Sequence, residues 1–165
     1  VLSFAMAIQF GLANSYYVNA EEEPVVLVRG AGVSSVTLSF LTRSGEVGSR
    51  SGLNWGQRDG REPNQAYIPL PSRIARTNFF PLNRNHFSVL TDDGKQLILR
   101  VEQQNNKAIT TPLNNSLLGE YFRNRLGLAN GSLISTADLE RYGRTNVTFY
   151  KLDDEQYFMD FSVQR

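Results

Sequence analysis

The sequence predicts a mainly β domain, in which a mainly antiparallel sheet of about seven strands closes into a barrel and carries short helices. Apolar and polar residues alternate with a period of two along much of the chain, which is the pattern of half-buried strands. Turn residues separate these segments, and few segments have the apolar spacing of a helix. A chain of 165 residues can form one ordinary domain with a substantial core.

The predicted strands are bounded by turn signals. Arg43-Ser44-Gly45 ends the second strand, and Pro69 closes the third. The segment 92–94, Asp-Asp-Gly, joins two apolar runs into a hairpin, and the acidic segment 153–155 joins the last two. The strands are expected at residues 25–28, 36–41, 66–68, 87–90, 96–102, 107–111, 147–152 and 157–163.

Two longer helices and one helical turn are expected between the strands. Asn115 or Ser116 can cap a helix that ends at Gly127. Thr136 can cap a second helix over 137–142, which Gly143 stops, and residues 71–77 can form a single turn. The apolar face of the first helix is formed by Leu117, Leu118, Tyr121, Phe122 and Leu126, with Arg123 and Arg125 in its last turn.

The first 33 residues do not share the pattern of the rest. The chain opens on Val1, and its apolar start at 1–13 is too short for a membrane span and lacks the basic residues of a signal peptide. We therefore expect a fragment of a larger protein, in which residues 1–33 are a junction from a preceding domain and residues 34–165 form the barrel. No membrane contact is expected.

The formal net charge of +1 is unevenly distributed. Residues 43–126 carry an excess of five positive charges, whereas 1–42 and 127–165 each carry an excess of two negative charges. Arg accounts for 14 of the 17 basic residues, and its planar donor fork pairs with phosphate or guanine in a way that Lys cannot match. Inert surfaces can show a similar charge excess, and a GC-rich genome explains the Arg preference equally well.

Catalytic chemistry finds little support in the sequence. With no Cys and a single histidine, His86, the chain lacks the ligands of a zinc site, and a reducing cytoplasm is the default compartment. Asp93, Glu102 and Gln104 imitate the pattern of a magnesium-dependent nuclease, but Gln stands in the place of the lysine. Phosphate-binding glycine loops are absent from the sequence. We expect a domain without catalytic residues, metal or cofactor.

Two polar segments contain the side chains that read the edges of bases. Residues 50–65 are rich in Arg, Asn, Gln and acids, and include Trp55, which can stack on DNA or anchor the segment. Residues 102–107 form a second polar arm between two strands, although an ordinary hairpin tip has the same composition. The candidate DNA-binding residues are Arg43, Arg50, Asn54, Trp55, Gln57, Arg58, Asp59, Arg61, Asn64, Gln65, Arg73, Arg76, Gln103, Gln104, Asn105, Asn106 and Lys107.

A family resemblance accompanies these segments. Residues 58–74 resemble the arm, strand and helix start of the B3 DNA-binding barrel, which occurs in plant transcription factors and in certain restriction endonucleases. Residues 103–128 resemble its second half. The runs SGLNWGQR at 51–58 and AYIPLP at 66–71 resemble the C-terminal domain of NgoFVII- and NgoAVII-type restriction endonucleases.

The resemblance implies a seven-stranded open pseudobarrel that grips the major groove of double-stranded DNA between arms 54–65 and 102–107. It also implies a short GC-rich target, a phospholipase-D-like nuclease domain that precedes this one in the same polypeptide, and a bacterial cytoplasmic location. Two alternatives stay open on the residues alone. They are a carbohydrate- or protein-binding barrel, and a degenerate magnesium-dependent nuclease.

Overall fold

The computed structural model describes residues 33–102 and 106–164, together with two short paired strands, β1 (Tyr16–Tyr17) and β2 (Val26–Leu27). β2 falls within the strand predicted at 25–28. The rest of the predicted junction up to residue 32 lies outside the described residues. Gln103, Gln104 and Asn105, at the tip of the predicted second arm, lie outside them as well.

Seven strands form one mixed sheet. They are β3 (Ser35–Ser39), β4 (Ile68–Pro69), β5 (His86–Thr91), β6 (Gln96–Glu102), β7 (Ala108–Thr110), β8 (Asn146–Lys151) and β9 (Gln156–Asp160). Their order across the sheet is β3-β8-β9-β5-β6-β7-β4. Only β5 and β9 pair in parallel. The edge strands β3 and β4 contact each other without pairing, which leaves one unsealed seam in a nearly closed barrel. The predicted fold class is therefore confirmed.

The strand at 66–68 differs from its prediction. β4 begins at Ile68 and includes Pro69, which pairs with Ala108. Ala66 and Tyr67 direct their backbone N–H groups elsewhere, to the carbonyl oxygens of Asn115 and Gly52. Proline is tolerated here because β4 is an edge strand and needs no N–H on its open side.

The helices are α1 (Ser72–Ala75), α2 (Ser116–Leu126) and α3 (Thr136–Tyr142), preceded by a 3-10 helix at Gly52–Gln57 that the sequence did not predict. The cap of α3 is Ser135 rather than Thr136. The Ser135 hydroxyl accepts from the Asp138 backbone N–H, and the Asp138 carboxylate accepts from the Ser135 N–H, so the two residues form a capping box. α2 ends as predicted at Gly127, which has a φ of 71°.

The apolar face of α2 is narrower than predicted. Leu118, Tyr121, Phe122 and Leu126 are buried, but the side chain of Leu117 is 45% exposed. The buried face packs into a core rich in aromatic rings. Phe122, for example, meets the edges of Phe40 and Phe161 at ring centroid distances of 5.0 and 5.2 Å.

Arg125 ties α2 to the turn between β5 and β6. Its guanidinium binds both carboxylate oxygens of Asp92, at 2.9 and 2.7 Å, and also donates to the hydroxyls of Tyr121 and Tyr142. Burial raises the pKa of the Tyr121 hydroxyl above its usual range. A bidentate pair with further hydrogen bonds compensates the cost of burying these charges.

The geometry does not assemble the nuclease-like set. Asp93 belongs to the β5–β6 turn, where it accepts from Thr91 and Tyr121, whereas Glu102 ends β6. The two carboxylates are thus at opposite ends of a seven-residue strand, roughly 20 Å long. Within residues 33–102 and 106–164, no three His, Asp or Glu side chains are grouped as a metal site. In the same residues, no helix has the length and apolar character to cross a membrane.

Candidate nucleic-acid interface

The first arm is a folded loop rather than an extended one. The 3-10 helix Gly52–Gln57 runs into an exposed tip, and the chain then turns back, so that the Gly56 N–H donates to the Gln65 carbonyl at 2.8 Å. A Cβ atom on Gly56 would overlap the carbonyl oxygens of Glu62 and Pro63. Glycine at this position therefore allows the two limbs of the arm to lie in contact.

Asn54 holds the start of the arm from inside the protein. Its side chain is fully buried, and its amide nitrogen donates to the carbonyl oxygens of Gly48 and Ile134 at 2.9 and 2.7 Å. Its amide oxygen accepts from the Ile134 N–H at 2.9 Å. A side chain with no exposed surface cannot reach DNA in this conformation. Asn54 is therefore corrected from a DNA-binding residue to a support of the arm.

Two more amides hold the far side of the same arm. The Gln57 side chain donates to the carbonyl oxygens of Pro63 and Gly131, both at 3.1 Å. Asn64 is 8% exposed, and its side-chain oxygen accepts from the Gly131 N–H at 2.7 Å. Both amide hydrogens of Gln57 are donated within the protein, and Asn64 is buried. These two side chains therefore hold the arm in place, as Asn54 does.

Arg123 lies beneath the arm and is fully buried. Its guanidinium donates to the carbonyl oxygens of Ser132 at 2.8 Å, Gly119 at 3.2 Å and Leu53 at 3.5 Å. Burial lowers the pKa of the Arg123 guanidinium. The sequence placed this residue only in the last turn of a helix, because its partners are carbonyl groups that no local pattern reveals.

Trp55 lies under the exposed tip. Its half-buried ring meets the edge of Tyr67, with ring centroids 5.7 Å apart. The guanidinium carbons of Arg58 and Arg61 lie 4.2 and 4.3 Å from the centre of the Trp55 ring, which is within cation–π range. The ring therefore acts as a platform that orients both cations.

The tip presents charged side chains to solvent. Arg58, Asp59 and Arg61 are exposed. Arg58 is further fixed by a hydrogen bond from its Nε to the Arg50 carbonyl at 2.9 Å, and Arg61 donates to the Gln65 side chain at 3.3 Å. The first arm thus separates supporting amides from outward-facing charges.

The described part of the second arm lies across a groove from the first. Glu102 is the first residue of the second arm and Trp55 belongs to the first arm, and both line one groove of about 360 Å³. The remaining walls come from strands β4 and β7 and from the start of α2, at Ala66, Tyr67, Ala108, Thr110, Thr111, Pro112 and Asn115. Tyr67 and Thr110 were not among the predicted site residues, because only the pairing of β4 with β7 brings their two segments side by side.

The remaining candidate residues lie in separate places. Asn106, which has a φ of 54°, and Lys107 share a second groove of about 530 Å³ with Arg76, the residue that follows α1. Arg73 is also exposed on α1. Arg50 is exposed beside the first arm, whereas Arg43 is exposed in the turn after β3. Among the described residues, no hydrogen bond or ion pair joins Arg43 to either arm.

One family of known proteins matches this arrangement. The sequence model of the NgoFVII C-terminal B3-like DNA-binding domain matches residues 28–153. This range includes both arms, both grooves and every barrel strand except β9. A comparison with curated protein sequences finds no match.

Proposed function

The chain belongs to the family of NgoFVII C-terminal B3-like DNA-binding domains, and from that premise we propose that it recognises a specific double-stranded sequence through the major groove with its two arms. The observation that carries the proposal is that the first arm has one set of side chains that holds it in place and another set that it exposes. Amides fix its ends to the protein, while Arg58, Asp59 and Arg61 point outward above Trp55. A rigid support with exposed readers suits direct readout of base edges.

Base readout by the first arm comes from Arg58, Asp59, Arg61 and Gln65. Arg pairs with the O6 and N7 acceptors of guanine, and Asp accepts from the cytosine amine. This mixture favours a short target rich in G·C pairs. Asn106, with Gln103, Gln104 and Asn105, supplies amide readers on the second arm.

The phosphate contacts come from basic residues around the arms. Arg76 and Lys107 face one groove, and Arg50, Arg73 and Arg43 are exposed outside it. Such contacts set the register of the domain on the duplex and make its affinity depend on salt. They carry no sequence information themselves.

In the whole protein, this domain selects the target of a restriction endonuclease. The nuclease is a separate domain that precedes it in the same polypeptide, with residues 1–33 as the junction, and the enzyme acts in the bacterial cytoplasm. The carboxylates considered for catalysis support this division, since Asp93 is bonded into a turn and Glu102 is ion-paired with Arg100.

Selection of bound duplexes from a random pool tests the proposal, followed by fluorescence anisotropy on the selected duplex at several salt concentrations. We expect a short G·C-rich consensus and a log affinity that falls linearly with log salt concentration. A pool that shows no consensus would overturn sequence-specific recognition. Weak binding with little salt dependence would favour a carbohydrate or protein ligand instead.

A further inference from the structure

Glu102 places a negative charge on the surface proposed to bind DNA. It is the last residue of β6, and it lines the groove that Trp55 and Tyr67 also line. Its side chain is 22% exposed. The proposed readers and phosphate contacts give this acid no role.

Arg100 holds the carboxylate in one orientation. The Nε atom of Arg100 donates to Oε1 of Glu102 at 2.7 Å, and its Nη2 atom contacts the same oxygen. The guanidinium is in turn positioned by the neighbouring strand, since its Nη1 atom lies 3.4 Å from Nε2 of His86. Among the described residues, none donates to the second oxygen, Oε2. The carboxylate thus keeps a free acceptor while its rotation is restricted.

Only some base edges can use such an acceptor. A carboxylate lowers the affinity for the phosphate backbone, so it favours binding only where it accepts a hydrogen bond from a base. In the major groove, those donors are the amino groups of cytosine and adenine. The adenine amine stands between two acceptors, N7 and thymine O4, which repel a carboxylate, whereas the cytosine amine has an acceptor, guanine O6, on one side and only the C5–H edge on the other. Cytosine is therefore the better partner.

We propose that Glu102 is a specificity-determining residue that accepts a hydrogen bond from the amino group of one cytosine in the target, with Arg100 as its positioning residue. The proposal rests on the proposed function, because it requires DNA in the groove between the arms. In this proposal Glu102 reads one base pair, although the sequence pattern around it resembles part of a nuclease site.

The test compares Glu102→Gln with the wild type by selection from a random pool and by anisotropy. Gln keeps the shape of the side chain and removes the charge. We expect the affinity for the wild-type consensus to fall by roughly tenfold or more. We also expect the variant to lose the cytosine preference at one position and to retain the preferences at the others. Glu155→Gln, an exposed acid in the turn before β9, is the matched control and should keep the full consensus.

A modified duplex keeps the test informative if the variant fails to fold. N4-methylcytosine, placed at each cytosine of the consensus in turn, puts a methyl group on the major-groove side of the amine. We expect one such position to weaken wild-type binding by a similar factor and to leave binding by a folded Glu102→Gln variant unchanged. Arg100→Lys should reduce the same preference partially, because Lys retains the charge and lacks the planar fork.

Two results would overturn the proposal, and they differ from failure of the proposed function. If Glu102→Gln binds consensus and random duplexes more tightly by the same factor, the acid only repels phosphate. If the wild type binds every N4-methylcytosine duplex as well as the unmodified one, no cytosine amine is read. A wild type that selects no consensus at all contradicts the proposed function itself, and this inference with it.

Discussion

Replacing Asn54 by Ala tests whether the amides of the first arm support it. The substitution removes three hydrogen bonds and leaves the N–H and C=O groups of Ile134 and the C=O group of Gly48 without a partner. Ile134 is itself 1% exposed, so water cannot readily replace the lost bonds at two of these groups. At about 1–1.5 kcal/mol for each bond lost from a buried partner, the free energy of unfolding should fall by about 3–5 kcal/mol.

Urea denaturation measures this loss. With an m-value of about 2 kcal/mol/M, the midpoint of Asn54→Ala should fall by about 2 M. Asp59→Ala, on the exposed tip of the same arm, is the control and should change stability by less than about 0.5 kcal/mol. If Asn54→Ala costs less than about 1 kcal/mol, the buried amide is not what holds the arm, and its assignment to DNA contact is reopened.

Asn54→Asp gives the same site a dependence on pH. The introduced carboxylate faces the carbonyl oxygens that the amide nitrogen bonded, so burial and these dipoles raise its pKa in the folded state above its unfolded value of about 4. The variant therefore retains the most stability below about pH 4 and loses it as the pH rises, in contrast to the wild type at this site. Urea midpoints at acid and neutral pH separate the two cases.

Three further substitutions address the remaining roles. Arg58→Ala should cost about 1–3 kcal/mol of binding at a single base position, as measured by anisotropy on duplexes with one altered pair. Lys107→Ala should weaken binding to all sequences and reduce the slope of log affinity against log salt by about one. Gly119→Ala should lower both stability and affinity for all sequences, because its Cβ would overlap the Asn64 carbonyl oxygen. Urea midpoints and anisotropy measure these two effects.

Each of these variants has a matched control. Arg58→Ala is compared with Arg84→Ala, an exposed arginine outside both arms, and Lys107→Ala with Lys95→Ala in the β5–β6 turn. Asn124→Ala, exposed on the same helix, accompanies Gly119→Ala. An equal loss on consensus and random duplexes would make Arg58 a phosphate contact. An unchanged salt slope would remove Lys107 from the interface, and wild-type stability of Gly119→Ala would contradict the observed contact with the arm.

Much of the fold follows from local patterns that the sequence displays openly. Alternation and the Asp-Asp-Gly turn predicted the β5–β6 hairpin, and Gly127 predicted the end of α2. Errors arose where neighbouring residues offer the same local chemistry. Ser135 and Thr136 can both cap a helix, and only the reciprocal bonds with Asp138 decide between them.

The candidate site was less predictable, because its organisation depends on distant partners. A polar composition identified the arm but could not show which side chains face inward. Asn54 bonds with Ile134, 80 positions later in the chain, and Gln57 and Asn64 bond with Gly131. The loop that supplies these groups, residues 127–135, could not be recognised from the sequence, because it contacts the arm mainly through backbone atoms.

The separation of support from presentation in the first arm has a consequence for the diversification of targets. Every amide that fastens the arm lies outside the short stretch from Arg58 to Glu62, and all five residues of that stretch are exposed. If these residues read bases as proposed, substitutions of their exposed side chains alter which bases are preferred at little cost in folding free energy. A lineage, or a protein engineer, can exchange the other four residues as a set and keep Gly60, whose φ of 79° disfavours any residue with a side chain, so that the scaffold is left untouched.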